Sequence, residues 1–283
     1  MRLLSLCTGY GGLDLAVEAF FDCELVACAE IDKYASLAID KHFGVPNVGD
    51  IKQVDWASLG DIDIITAGYP CQPFSTAGQR KGTEDERHIW PHIKEGVGIL
   101  RPSLVILENV RGHLSLGFKE VLQDLASIGY DAIWTIVRAS DVGAPHRRAR
   151  LFIIAQPSNT HSQRHLFREL SEARSKRQSQ CQSASCCKNV TDSARKGLEG
   201  SFHKEHRFEC RSKMQMRRTP NALGLDDKLN PIFVEYMMGL PEGWVTDLPI
   251  SRTQKLKMLG NGVVPQQAYF ALEKLWHMPH ARD

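Results

Sequence analysis

Hydrophobic and polar positions switch between two periods over the first 155 residues. Short, mostly apolar runs at 3–6, 25–29, 62–67 and 104–107 have the length and composition of buried strands. Between them the period lengthens. Leu13, Ala16, Val17 and Phe20 recur at i, i+3, i+4 and i+7, which predicts a helix starting after Gly9, Gly11 and Gly12. A second helix is predicted from about Lys33 to His42, leading to Gly44. Phe118, Val121, Leu122, Leu125 and Ile128 mark a third, stopped by Gly129. A short strand is expected near Val48. Residues 132–137 and 151–155 read as the last two strands, flanking the loop DVGAPHRRAR. Strand runs alternating with helical patterns are the signature of a parallel α/β sheet.

The periodicity fades between Gln156 and about Pro220, returns as a helical pattern from Ile232, and ends in LGNGVVPQQ and an amphipathic helix to about His277. Charge changes the picture in that interval. Residues 157–218 hold 14 Lys+Arg against 6 Asp+Glu, whereas the whole chain, with 35 and 33, is nearly balanced at +2. The segment is poor in aliphatics and rich in Ser, Gln and Arg. Such a basic patch is a footprint of nucleic-acid binding, although composition alone equally describes a solvated, partly disordered insertion. The length of 283 residues, with 42% hydrophobic and 24% charged residues, suits one large or two modest globular domains. No apolar run approaches the ~18 residues of a membrane span. The opening MRLLSLCTGYGGLD is too glycine-rich for an export signal. Eight cysteines in such a chain are expected to be reduced thiols in a cytosolic compartment.

Candidate chemistry collects at the carboxyl ends of the predicted strands, where open α/β sheets bind ligands. The run GYPCQPFS at 68–75 presents Cys71 between two prolines that fix the local chain direction, as a nucleophile requires. Taken alone, Cys71 reads better as a buried structural cysteine. CTGYGGLD at 7–14 is a glycine turn from strand to helix, which lets a nucleotide-like ligand approach the backbone. Glu30, ending the next strand, is placed to accept hydrogen bonds from ribose hydroxyls, and Asp50, ending the third, to contact an adenine amine. Each acid alone could simply cap a helix. Together the three strand ends point to an adenosine ligand, and the missing pyrophosphate fingerprint favours S-adenosylmethionine over a dinucleotide. Glu108, in LENV, ends the strand after that of Cys71; partial desolvation there lets a carboxyl keep its proton near neutral pH. Arg147, Arg148 and Arg150 precede the final strand, with Arg148 and Arg150 on one face.

These pieces, CTGYGGLD, AEID at 29–32, GDI at 49–51, GYPCQPFS, LENV, PHRRAR at 145–150 and LGNGV at 259–263, in this order, resemble the cytosine-5 DNA methyltransferases of bacterial and phage type. The resemblance spans the chain except roughly residues 156–230. It implies a Rossmann-like S-adenosylmethionine-dependent methyltransferase sheet with a small irregular target-recognition region. The implied division is a catalytic and cofactor domain at 1–155, target recognition at 156–254, and a carboxyl-terminal segment at 255–283 that returns to the catalytic domain. The implied reaction flips a cytosine out of double-stranded DNA. Cys71 adds to C6, Glu108 hydrogen-bonds N3 and the exocyclic amine, Arg150 contacts O2, and Arg148 supports the same pocket. C5 then takes the methyl group. The implied cofactor positions are Cys7, Gly9, Tyr10, Gly12, Glu30, Ile31, Asp50, Ile51, Pro70, Trp90 and Asn261. Residues 75–87 resemble the loop that closes over DNA.

Three departures stand out. Cys7 replaces a usual Phe, His146 replaces a usual Gln, and NPIFVEYMMGLPEGW at 230–244 stands where the family's penultimate motif belongs. In the target-recognition region Cys181, Cys186, Cys187 and Cys210 accompany His161, His165, His203 and His206. Their irregular spacing lacks paired C-x-x-C units, so no metal site is assigned. The alternatives are a transfer-RNA cytosine-5 methyltransferase and a catalytically degraded relative that only binds nucleic acid. The partners expected are DNA and, within a restriction-modification system, an endonuclease. A monomer without membrane attachment, in the cytoplasm of a prokaryotic or phage-infected cell, suffices for the chemistry.

Overall fold

The computed structural model describes residues 1–70, 89–158, 219–224 and 227–277. Among them, six strands form one sheet: β1 (Arg2–Leu6), β2 (Glu24–Ala29), β3 (Ile64–Gly68), β4 (Leu104–Val110), β5 (Tyr130–Arg138) and β6 (Ala149–Pro157). Their spatial order is β2-β1-β3-β4-β6-β5. The helices are α1 (Gly12–Phe21), α2 (Lys33–His42), α3 (Trp90–Leu100), α4 (Phe118–Ser127), α5 (Pro231–Met237), α6 (Arg252–Asn261) and α7 (Pro265–Trp276).

The central strands are mostly apolar because both faces are covered, with buried polar exceptions such as Ser5, Thr66 and Glu108. Leu4, Leu6, Ile65, Ala67, Val105 and Leu107 face a core completed by Ile93 and Val97 of α3 and by Val121 and Leu125 of α4. Their alternates Leu3, Ile64, Leu104 and Ile106 face the other side, against Val17 and Phe20 of α1 and Leu272 and Leu275 of α7. The period-2 alternation of strand side chains divides the two cores. The carboxyl-terminal helix is thereby part of the second core, its Trp276 ring edge-on to Phe21 at 5.1 Å.

Two sequence expectations need correction. The sheet is not wholly parallel: β6 runs antiparallel to both β4 and β5. Residues 139–148 between β5 and β6 hold one 3-10 turn, Ala139–Val142, too short a connection for the crossover that a parallel pair requires. Residues near Val48 form no strand. Asn47 makes a single bridge to Cys28, and Val48 N–H donates to Cys28 O. Two helices escape the periodicity reading. In α6 only Met258 and Leu259 are buried, which leaves no apolar stripe. In α3 two glycines interrupt the pattern.

Residues 238–250, grouped by the sequence reading with target recognition, pack into the body of the protein. Met238, Leu240, Trp244, Val245 and Leu248 form a third buried cluster with Tyr10, Leu15 and Leu259. Buried Glu235 organises this stretch. Its carboxylate accepts from the amides of Gly243 (2.9 Å), Val245 (2.5 Å) and Thr246 (2.9 Å), and from the Thr246 hydroxyl (2.8 Å).

Candidate functional site

A cleft of about 360 Å³ opens at the carboxyl ends of β1, β2, β3 and β4, within the range of roughly 300–1,000 Å³ usual for small-molecule sites. The glycine turn forms one wall. Cys7 leaves β1 in the left-handed region (φ 54°), as does Gly9 (φ 59°). The Gly9 amide donates to Glu30 Oε2 at 2.8 Å, and the Asp32 amide donates to Glu30 Oε1, also at 2.8 Å. Burial raises the Glu30 carboxyl above its ordinary range, with these amides acting in the opposite direction. Glu30 is thus fixed with both oxygens anchored and faces the cleft. Burial, then Glu30, pushes the Cys7 thiol up to about 12, so it lines the cleft as a neutral thiol.

The acids divide between the two roles left open by sequence. Asp32 caps α2, accepting from Tyr34 N and Ala35 N. Asp50 caps the 3-10 turn Ile51–Gln53 through Lys52 N, and Ile51 is buried in the core. Neither Asp50 nor Ile51 is among the described residues lining the cleft. Ile31 is 75% exposed. Tyr10 is fully buried and donates its hydroxyl to Val263 O at 2.7 Å. Trp90 is also buried, packed against Tyr69 and donating Nε1 to Asp124 at 2.8 Å. Gly12 lies so close to Val263 O that a Cβ would collide with that carbonyl. Gly9, Gly12, Pro70 and Asn261 line the cleft together with Glu30 and Cys7.

The far wall carries Glu108 and Arg150. Antiparallel pairing sets Val110 opposite Arg150 and Glu108 opposite Phe152, and Arg150 Nε reaches Glu108 Oε1 at 2.9 Å. Burial pushes the Glu108 carboxyl up to about 7, against the lowering influence of Arg150 and Arg148. Gly68 sits in register with Glu108 on β3, so the chain leaves β3 beside this pair. Asn109 Nδ2 then holds Tyr69 O at 3.1 Å, and the Tyr69 hydroxyl meets His113 Nε2 at 2.9 Å. Cys71 follows Pro70 and lies outside the described residues, as do the 75–87 segment, residues 159–218 and the cysteines and histidines of that region. Among the described residues no cluster of His, Cys, Asp or Glu could hold a metal ion.

Arg148 does not line the cleft. Its Nη2 donates to Gly260 O at 2.8 Å and Gly262 O at 2.7 Å. Sequence reasoning also missed Asp14, which is buried and lines the cleft floor. It accepts from Ser5 Oγ of β1 (2.9 Å) and Thr66 Oγ1 of β3 (2.5 Å), tying α1 to two strands. Burial raises its carboxyl to about 6. Asn47, another missed residue, clasps the end of β2 through Glu30 N and Glu30 O. Both are polar residues whose partners are distant in sequence, and no local pattern announces them.

The sheet has a Rossmann-like fold of the kind found in methyltransferases, with a cleft at its strand ends. The chain belongs to the C-5 cytosine-specific DNA methylase family, whose pattern matches residues 1–223. It is 37% identical over 160 residues to the Type II methyltransferase M.NlaX of Neisseria lactamica, covering 54% of this chain and 51% of that protein. It is 35% identical over 159 residues to M.HhaI of Haemophilus parahaemolyticus, covering 54% and 48%. The chain therefore matches about half the length of these curated relatives. The fold resembles S. pombe Dnmt2 methyltransferase (TM-score 0.63, 18% identity, 97% and 99% coverage). It also resembles a putative DNA modification methyltransferase encoded within an E. coli prophage (TM-score 0.63, 18% identity, 98% of each chain).

Proposed function

We propose that this chain is a sequence-specific DNA (cytosine-5) methyltransferase that uses S-adenosylmethionine and a covalent bond from Cys71 to C6 of a flipped cytosine. The observation that carries this reading is the buried Glu108–Arg150 pair on the lip of the cleft whose opposite wall is Glu30 and the glycine turn. A carboxyl with an affinity for protons near neutral pH suits a donor to a ring nitrogen that gains electron density.

The cleft fits the cofactor: the anchored Glu30 carboxylate offers acceptors for a ribose, and the left-handed turn at Cys7 and Gly9 exposes backbone to a ligand. When bound, S-adenosylmethionine supplies the methyl group. The Cys71 thiolate adds to C6, making C5 nucleophilic, since C5 of an unactivated cytosine attacks a sulfonium methyl too weakly. Glu108 donates its proton toward N3 as charge accumulates there, and Arg150, held by Glu108, is within the same wall to meet O2. Once C5 carries the methyl group, transfer of the C5 proton to solvent expels the Cys71 thiolate, and N3 returns its proton to Glu108 as the aromatic ring is restored.

The family's description as a DNA methylase favours DNA over the transfer-RNA alternative, and the retained Glu108 and Arg150 argue against a degraded relative. Residues 1–155 and 255–283 supply the chemistry, with 238–250 packed against them, and the basic 157–218 stretch reads the target. The Type II methyltransferase relatives are compatible with a restriction-modification role beside an endonuclease. Among the described residues no helix is long and apolar enough to cross a membrane.

Bisulfite sequencing of plasmid DNA from cells without other cytosine methylation tests the function. Expression of the chain is expected to protect cytosines in one fixed context, and Cys71→Ala to remove the protection while DNA and S-adenosylmethionine binding persist. Full protection by Cys71→Ala would sink the covalent mechanism.

A further inference from the structure

Arg148 and Arg150 leave the same strand end two residues apart, yet their guanidinium groups serve different walls. Arg150 pairs with Glu108. Arg148 crosses to the carboxyl end of α6, where one nitrogen, Nη2, donates to both Gly260 O and Gly262 O. These carbonyls flank Asn261, and all three residues line the cleft that Arg148 itself does not. Gly260 and Asn261 close α6, and the Gly262 amide still donates to Met258 O at 3.2 Å. Asn261 has glycine on both sides, and the chain leaves α6 by an extended Gly262 whose Cα lies against the Tyr10 ring, leaving no room for a Cβ.

Arg148 is itself held from the same direction. Gln267 of α7 donates Nε2 to Arg148 O at 2.7 Å and to Val137 O at 2.8 Å. Tyr10, from the glycine turn, donates to Val263 O. The start of β6, the glycine turn and the α6–α7 connection are thus joined around one short loop. A charged donor shared between two carbonyls holds backbone more firmly than neutral hydrogen bonds would.

We propose that Arg148 is a positioning residue for the cofactor side of the cleft, bracketing Asn261 through the carbonyls on either side of it, rather than a residue of the target-base pocket. This rests on the function proposed above. A consequence is that the two arginines of RRAR divide the labour: Arg150 serves the base, and Arg148 the methyl donor.

The test compares Arg148→Met, Arg148→Lys and Arg150→Met in the full chain. S-adenosylhomocysteine binding is read by calorimetry without DNA, and KM and kcat are read for DNA and cofactor separately. Arg148→Met is expected to weaken S-adenosylhomocysteine binding and raise the cofactor KM by about tenfold or more, the scale of losing charge-assisted hydrogen bonds, with the DNA KM changed little. Arg148→Lys, which keeps a cation able to reach these carbonyls, is expected to recover much of the affinity. Arg150→Met is expected to show the opposite split, with turnover lost and S-adenosylhomocysteine affinity kept. Unchanged cofactor affinity in Arg148→Met, or a profile matching Arg150→Met, overturns the inference while leaving the proposed function standing. If Arg148→Met does not fold, Arg148→Gln, a shorter neutral donor, takes its place and is held to the same split, with weakened S-adenosylhomocysteine binding expected and unchanged binding overturning the inference. A wild-type chain with no affinity for S-adenosylhomocysteine or S-adenosylmethionine overturns the proposed function and this inference together.

Discussion

At the scale of single residues, the proton on Glu108 governs the chemistry proposed for the cleft. Its carboxyl is raised from an ordinary 4.5 to about 7 by burial, despite the adjacent Arg150. A donor role requires the protonated form, so kcat/KM should fall as pH rises through about 7. Glu108→Gln should lower turnover by roughly 10²–10⁴-fold and remove that descending limb; a limb that survives the substitution would belong to another group. Stability has the same sign. Between pH 4.5 and about 7 the folded chain retains a proton that the unfolded chain has released, so the contribution of Glu108 to stability falls as pH rises across that window. The residues proposed for this chemistry sit in short runs at strand ends, where the sequence itself singles them out. Asp14 is not singled out in this way, although it lines the same cleft. Its two partners, Ser5 and Thr66, are brought together only by β1 pairing with β3.

At the scale of elements, close approach decides which glycines matter. A Cβ on Gly12, at the start of α1, would meet the backbone of Val263, and one on Gly96 in α3 would meet the buried ring of Trp56 at 2.9 Å. A Cβ on Gly98, one turn-face away in the same helix, would meet nothing within 4 Å. Gly12→Ala should therefore cost about 1–3 kcal/mol through overpacking against rigid backbone. Gly98→Ala should add about 0.5–1 kcal/mol by reducing the entropy of the unfolded chain. Urea midpoints measured on both variants check the pair, and equal effects would contradict this account of the α1–α7 junction. Of the helices read from sequence, α1 and α4 bury a face against the sheet, whereas α2 buries Ala38 in the third cluster beside α6. Those missed were α6, with two buried residues, and α3, whose Gly96 fits beside Trp56 and whose Gly98 faces open space rather than marking a turn.

At the scale of the whole molecule, charge is unevenly divided. Residues 157–218 hold 14 of the 35 Lys and Arg but only 6 of the 33 Asp and Glu. If this segment faces DNA, affinity should drop by at least about 10³-fold between roughly 50 and 200 mM salt, as counterions released from six or more phosphates require. Anisotropy titrations at several salt concentrations measure this, and a flat response would remove the segment from the DNA interface. The sheet order β2-β1-β3-β4-β6-β5 also joins the two ends of the chain: α7 packs beside α1 on one face of the sheet.

By itself, the sequence determined the strand runs, the glycine turn and the chemical groups at the strand ends, because each is set by neighbours a few residues away. It also determined the family, since seven short motifs in fixed order are local too. Tertiary structure alone decided the reversed β6, the burial of Glu235 beneath residues 243–246, and the role of each charged group. Asp50 caps a turn, whereas Glu30 is anchored facing the cleft. Arg150 meets Glu108, whereas Arg148 reaches Gly260 and Gly262. The sequence cannot distinguish these outcomes because a charged side chain's role depends on which partners lie within about 3 Å, and those partners come from more than 100 residues away for Arg148.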